Sequence, residues 1–352
     1  MKIGILTSGG DCQGLNAALR GVAKTLFAAV PKLNLIGIID GYRGLIEREW
    51  RGMELDEFSN ILREGGTILG TSRQSFKSMR ETDEAGSPDK LTIMADNYKR
   101  EKFDALVILG GNGTHKTAFA LSELGVNVVT LPKTIDNDIY GTDYSFGFDS
   151  AVTKASDVLD ALHTTAAAHG RIFVAELMGH KAGWVALHAG LAGGADIILL
   201  PEIPYSLDKV LEVIEKRNQS GKKFSIIAMA EGALSKEEAA LPKKERRPGD
   251  STAGSRLVRE LDERLDQDVR LVIPGHFQRG GDPTPYDRVL CSRFGVKAAE
   301  LILNKKFGYM VALHGLSIVS VPLGEVAGVL KTIPHDCEIL HQARALGVSL
   351  GD

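Results

Sequence analysis

The chain has 352 residues, with 42 Lys plus Arg against 45 Asp plus Glu, a formal net charge of −3. That balance lacks the basic footprint of a nucleic-acid surface, and 43% hydrophobic with 25% charged residues excludes global disorder and suggests about two globular domains. The three dispersed cysteines, Cys12, Cys291 and Cys337, signal neither a disulfide framework nor a zinc site, and the opening KIGILTSGG lacks the basic start and apolar core of a signal peptide. No apolar run approaches the roughly 18 residues of a membrane span, so a cytoplasmic location and no membrane or nucleic-acid partner are expected.

The first element is a strand over 2–7, followed by Gly9-Gly10 and a helix from Asn16 to Val30. A strand near 34–39 comes next, then one over 105–109 that leads into Gly110-Gly111 and a helix from Gly113 to Leu124. The strand near 127–131 ends in an acidic run after Lys133, before a helix from Ser150 to Thr165. Further strands are read near 171–177, 197–200, 224–230 and 270–274. Short apolar runs alternating with longer amphipathic stretches predict βαβ units around a parallel sheet. A parallel sheet is buried on both faces, which the uninterrupted Ala105–Leu109 and Ile226–Ala230 can satisfy. One stretch, SKEEAALPKKERR over 235–247 followed by Pro248-Gly249, reads as a solvated loop.

Open parallel sheets hold ligands beyond the carboxyl ends of their strands. The segments found there are Thr7-Ser8-Gly9-Gly10-Asp11, Gly110-Gly111-Asn112-Gly113-Thr114 and Lys133-Thr134-Ile135-Asp136-Asn137-Asp138. Glycine lets main-chain N–H groups approach phosphate oxygens, and the following helix adds its positive end. Neither glycine loop is a Walker A or a GxGxxG dinucleotide fingerprint. Thr134, Asp136 and Asp138 alternate, so a short extended segment would show a hydroxyl and two carboxylates on one side. One carboxylate could take a proton from an attacking hydroxyl and the other could help hold Mg²⁺, which is the chemistry of phosphoryl transfer.

The motifs LTSGGDCQGLNAALRG, GYRGL, GGTILGTSR, GGNGT, PKTIDNDI, GTDYSFGFDSA, the MG of MGHKAGW and GHFQRGGDPTPYDR occur in one order along residues 2 to about 302. In sequence and spacing the chain resembles the 6-phosphofructokinase family. The resemblance implies an α/β fold of two Rossmann-like three-layer domains with mainly parallel sheets and the active site in the cleft between them. It implies a phosphoryl-donor domain of 1–147 with 278–328 and a fructose 6-phosphate domain of 148–277 with 329–352. By motif, Asp136 corresponds to the base that takes the proton from the sugar 1-hydroxyl, with Thr134, Lys133 and Gly10 beside it in the catalytic group. Gly10, Tyr42, Ser72, Arg73, Gly111, Asn112, Gly113 and Thr114 fall at nucleotide positions. Thr134, Asp136, Asp138, Met178, Gly179, Glu231, His276 and Arg279 fall at sugar-phosphate positions, with Arg171 and Arg270 resembling arginines that reach in from a neighbouring subunit. Asn112 and Asp138 fall at the metal. Arg forks suit a dianionic sugar phosphate, and a Glu231 carboxylate suits sugar hydroxyls. The implied ligands are fructose 6-phosphate, ATP and Mg²⁺, in a homodimer or homotetramer.

Asn112 replaces the family's usual Asp, which removes a negative charge near the metal, and His180 replaces an Arg found in many relatives. Pyrophosphate users in the family typically carry Asp at the position of Gly113 and Lys at that of Lys133, whereas many ATP users carry Gly at both. This chain pairs Gly113 with Lys133. A carboxylate at 113 would repel the α-phosphate of ATP, so its absence puts ATP first as donor. Pyrophosphate is the alternative donor, and a catalytically weakened sugar-phosphate-binding subunit is a second alternative.

Overall fold

The computed structural model describes residues 1–81, 88–246 and 251–352. Its strands are β1 (Lys2–Thr7), β2 (Asn34–Ile38), β3 (Trp50–Met53), β4 (Ala105–Gly110), β5 (Val128–Pro132), β6 (Ile172–Leu177), β7 (Ile197–Leu199), β8 (Ser225–Ala230), β9 (Val269–Val272), β10 (Tyr309–His314) and β11 (Ser317–Pro322). The chain divides into two compact units, Met1–Ser150 with Arg279–Leu330, and Ala151–Gln278 with Lys331–Asp352.

In the first unit seven strands form a sheet in the order β11-β10-β5-β4-β1-β2-β3. Neighbours are parallel except at the two edges, where β3 and β11 run antiparallel to β2 and β10. The β4 strand lies at the centre with every residue buried, as its uninterrupted apolar sequence requires. Helix α1 (Leu15–Ala29) follows β1, helix α2 (Asn112–Glu123) follows β4, and helix α3 (Phe148–His169), which belongs to the second unit from Ala151 on, begins after the loop that follows β5. Helix α4 (Pro285–Leu303) packs extensively on α1. Where they touch, Gly21 and Gly295 face backbone so closely that a Cβ would lie 2.9 Å from the Ser292 carbonyl or 2.7 Å from that of Ala18.

The second unit holds a four-stranded sheet in the order β7-β8-β6-β9, parallel throughout. Its core is built from Ile172, Val174, Ile227, Met229, Leu257 and their neighbours. The C-terminal segment joins this unit through a bridge between Ser349 and Ile197. No helix among the described residues is long and apolar enough to cross a membrane.

The expected mixed α/β architecture with mainly parallel sheets is the one observed, but three details differ. Strands β3, β10 and β11 were not expected; the edge strands β3 and β11 are largely unburied and carry no continuous apolar run. The segment read as a solvated loop forms a helix at Lys236–Ala240, because Ser235 and Glu238 make reciprocal side-chain to backbone hydrogen bonds of 3.1 and 3.0 Å. Glu238 also pairs with Arg256, which is only 6% exposed. Arg247, Pro248 and Gly249 lie outside the described residues. The third difference concerns residues 134–138, which are not extended: the chain bends at Ile135–Asp136 and Asn137 adopts a φ of +49°.

Asp287, fully buried in the first turn of α4, accepts hydrogen bonds from the Gly147 amide (3.0 Å), the Ser150 amide (2.9 Å) and the Ser150 hydroxyl (2.6 Å). It thereby satisfies donors at the start of α3 while its own amide donates to Thr284 Oγ1 at 3.2 Å. Burial raises its pKa from 3.8 to about 6, against the lowering effect of those hydrogen bonds. Between about pH 4 and pH 6 the folded chain therefore keeps a proton that the unfolded chain releases, so this group's contribution to stability falls as pH rises through that window. Asp287→Asn, which turns an N–H toward donors, should cost roughly 2–4 kcal/mol. In thermal unfolding, its deficit relative to the wild type should be larger at pH 4.5 than at pH 7.

Candidate active site

The site in the first unit is set by register. Thr7 pairs with Leu109, and Gly110 with Pro132, so the carboxyl ends of β1, β4 and β5 lie side by side. The three expected segments, beginning at Ser8, Gly111 and Lys133, leave the sheet from adjacent strands. The Ser8 amide donates to the Leu109 carbonyl at 2.9 Å and the Lys133 amide to the Gly110 carbonyl at 3.0 Å, which fastens each turn to its neighbour.

In the first loop Gly9 has a φ of +90°, a conformation that side chains disfavour. Its amide donates to the Ser72 carbonyl at 3.0 Å, and its carbonyl accepts from the Thr71 hydroxyl at 2.7 Å. The Gly10 carbonyl accepts from Lys133 Nζ, and the Asp11 carbonyl accepts from Arg279 Nη1 at 2.8 Å. A Cβ on Gly10 would stand 3.0 Å from both Arg73 Nη2 and Arg279 Nη1, so Gly10, Arg73, Lys133 and Arg279 are brought together. Lys133 is only 4% exposed; burial lowers its pKa, as does the charge of Arg279, while Asp136 and Asp11 oppose the shift. The Ser72 hydroxyl donates to the Asp40 carbonyl at 2.6 Å and holds the segment carrying Arg73.

The second loop opens α2. Gly110 must lack a Cβ, which would lie 2.3 Å from the Thr114 side chain, whereas a Cβ on Gly113 meets nothing within 4 Å. The Asn112 side-chain Nδ2 donates to the Val329 carbonyl at 2.9 Å, and its Oδ1 is shielded from solvent without a hydrogen-bond partner. Tyr42 is fully buried, with its hydroxyl donating to the Thr114 carbonyl at 2.9 Å, so it braces the loop from behind. His115, also buried, has its pKa lowered to about 3, chiefly by desolvation, and is a neutral imidazole at physiological pH.

The third loop bends, yet the alternation expected of it survives in burial: Thr134, Asp136 and Asp138 are half-buried, whereas Ile135, Asn137 and Ile139 are buried. Its shape is fixed from inside. Ser145 donates from its amide to Asn137 Oδ1 at 3.0 Å and from its hydroxyl to the Thr134 carbonyl at 2.7 Å, and the Asp136 amide donates to Thr134 Oγ1 at 3.1 Å.

In the second unit, Leu177 pairs with Ala230 in register, so Met178-Gly179 and Glu231 emerge together from the ends of β6 and β8. The Glu231 amide donates to the Leu177 carbonyl at 2.8 Å, and the Gly232 amide to the Gly179 carbonyl at 3.2 Å. The turn after β9 carries exposed His276 and buried Gln278, whose Oε1 accepts from the Met178 amide at 3.2 Å. Arg171 and Arg270 are not brought to this end. Both pair with Asp268, at 2.8 and 2.5 Å, beside the amino-terminal ends of β6 and β9. Thr71 and Gln278 were given no role from the sequence; each lies within a motif read there, but only the fold shows what its side chain holds.

A profile of the family described as phosphofructokinase matches residues 2–302. The chain belongs to the phosphofructokinase family. The ATP-dependent 6-phosphofructokinase of Spirochaeta thermophila is 51% identical over 99% of this chain and 97% of its own length. The ATP-dependent 6-phosphofructokinase 3 of Bacteroides thetaiotaomicron is 45% identical with full coverage of both. Among solved structures, Pichia pastoris phosphofructokinase in the T-state is similar with a TM-score of 0.80 and 30% identity over 93% of this chain, which spans 37% of the yeast chain.

Within this family member, Asn112 can make a contact that the usual Asp cannot, since a carboxylate has no proton for the Val329 carbonyl. Asn112→Asp should lose about 1 kcal/mol of stability, read as a lower Tm without nucleotide, whereas Asn112→Ser should lose less.

Proposed function

We propose that this chain is a 6-phosphofructokinase that transfers the γ-phosphoryl group of Mg·ATP to O1 of fructose 6-phosphate, giving fructose 1,6-bisphosphate. The observation that carries the reading is the side-by-side exit of two glycine loops and the Asp136 loop from β1, β4 and β5. Two full-length relatives named ATP-dependent 6-phosphofructokinase support the donor, as does the open space at Gly113.

Asp136 takes the proton from the sugar 1-hydroxyl as that oxygen attacks. Main-chain amides of Gly10, Asp11 and the Gly111–Thr114 segment bind donor phosphates, with Arg73 beside Gly10 stabilising the transferring group. By the motif correspondence, Thr134, Met178, Gly179, Glu231, His276 and Arg279 are the residues that bind the sugar phosphate. Hard oxygen donors are present for Mg²⁺: the half-buried carboxylate of Asp138 and the partnerless Oδ1 of Asn112. Among the described residues no group of three or more His, Cys, Asp and Glu side chains could hold a metal, so Asp138 and Asn112 would hold the ion together with the donor phosphates, the usual arrangement for Mg²⁺. The ion, when bound, neutralises phosphate charge. Arg171 and Arg270, placed away from the other sugar residues, serve a neighbouring subunit's site in a homo-oligomer.

A coupled assay with fructose 6-phosphate, Mg²⁺ and either ATP or pyrophosphate tests the reading, and turnover with pyrophosphate alone would overturn the donor assignment. Asp136→Asn should lower kcat by roughly 10²–10⁴-fold with little change in sugar affinity; unchanged turnover would remove it from the base role. Gly113→Asp has room within the protein, so it should fold normally and lose ATP use.

A further inference from the structure

Three successive carbonyls of the first glycine loop are each held by a side chain from a different part of the chain: Gly9 by Thr71, Gly10 by Lys133 and Asp11 by Arg279. The peptides are trans, so each carbonyl points opposite to the N–H of the next residue. Fixing the first two carbonyls therefore turns the amides of the half-buried Gly10 and Asp11 away from Thr71 and Lys133, respectively, while Cys12, which follows the third, is fully buried. Successive amides turned to one side form an anion-binding concavity.

From this geometry we propose that Lys133 is a positioning residue, whose ammonium sets the Gly10–Asp11 peptide so that the loop amides meet the donor phosphates, and that it does not select pyrophosphate. Its burial fits this role. An ammonium that is 4% exposed and donates to a main-chain carbonyl forms part of the loop's support, whereas a donor-selecting cation has to stand in the path of the donor. The surroundings agree: Arg279, which repels Lys133, itself holds the next carbonyl, while Asp136 and Asp11 supply the compensating negative charge. The pairing of Gly113 with Lys133, ambiguous as a donor signature, then has a physical explanation, because the donor is decided at the open position and the lysine supports the loop.

The inference rests on the proposed reaction, and the two fail differently. If wild-type protein turns over with neither donor, the reaction is wrong whatever Lys133 does. If it turns over, Lys133→Met and Lys133→Gln are compared in kcat and KM with ATP and with pyrophosphate. A positioning hydrogen bond needs a donor and not a charge. Lys133→Met should lose at least about tenfold in kcat with ATP, Lys133→Gln should recover a large part of that loss, and the preference between donors should stay unchanged. Equal losses in Met and Gln, a loss confined to the KM for ATP, or a reversed donor preference would each overturn the proposal. Should Lys133→Met fail to fold, Lys133→Gln is combined with Thr71→Val, which releases the neighbouring carbonyl. Losses in kcat that combine less than multiplicatively support action through the shared loop, and independent losses contradict it.

Discussion

The first unit depends on one constraint: a main chain that offers its N–H groups to an anion must have its carbonyls paired elsewhere. A buried carbonyl without a partner is costly, and one facing a phosphate repels it. Here the carbonyls of Gly9, Gly10 and Asp11 are drawn inward by Thr71, Lys133 and Arg279. Those side chains come from the turn after Gly70, from the end of β5 and from the segment that leads into α4. The loop is therefore shaped by three distant parts of the sequence, one of which, Lys133, is delivered by a strand of the same parallel sheet. The glycines have two tasks: at Gly9 the backbone takes a conformation hostile to side chains, and at Gly10 two guanidinium groups stand where a Cβ would crowd them.

The second unit applies the same logic with fewer charges. Parallel register sets Met178 and Glu231 side by side at the ends of β6 and β8. Gln278 links the Met178 amide to the Gly275 carbonyl, which lies in the turn that carries His276. A neutral amide can serve as both acceptor and donor, so one buried side chain fixes two turns. At the opposite ends of the strands Asp268 holds Arg171 and Arg270, and this keeps the two guanidinium groups together at an exposed edge.

How far the sequence discloses this arrangement depends on the length scale of the signal. Strands such as β4 and β8 are buried on both faces and appear as uninterrupted apolar runs. The edge strands β3 and β11 carry little of that pattern, and β10 offers only the short run Met310–Leu313 beyond the end of the family resemblance. The glycine loops and the alternation of Thr134, Asp136 and Asp138 are legible because they are local, and the alternation persists in burial even though the segment bends. The partners of those loops are not local. Nothing adjacent to Lys133 indicates that its ammonium ends on Gly10, and nothing around Asn112 points to Val329. Peptide-plane orientation leaves no trace in residue type, so Thr71 and Gln278 acquire their meaning only in three dimensions.

The most direct measurement is a crystal structure with a non-hydrolysable ATP analogue and Mg²⁺. Lys133 Nζ should remain on the Gly10 carbonyl while the amides of the first loop lie within hydrogen-bond distance of the analogue's phosphate oxygens. A structure in which Lys133 leaves that carbonyl to bind phosphate, with the Gly10 carbonyl turned toward the nucleotide, would contradict it.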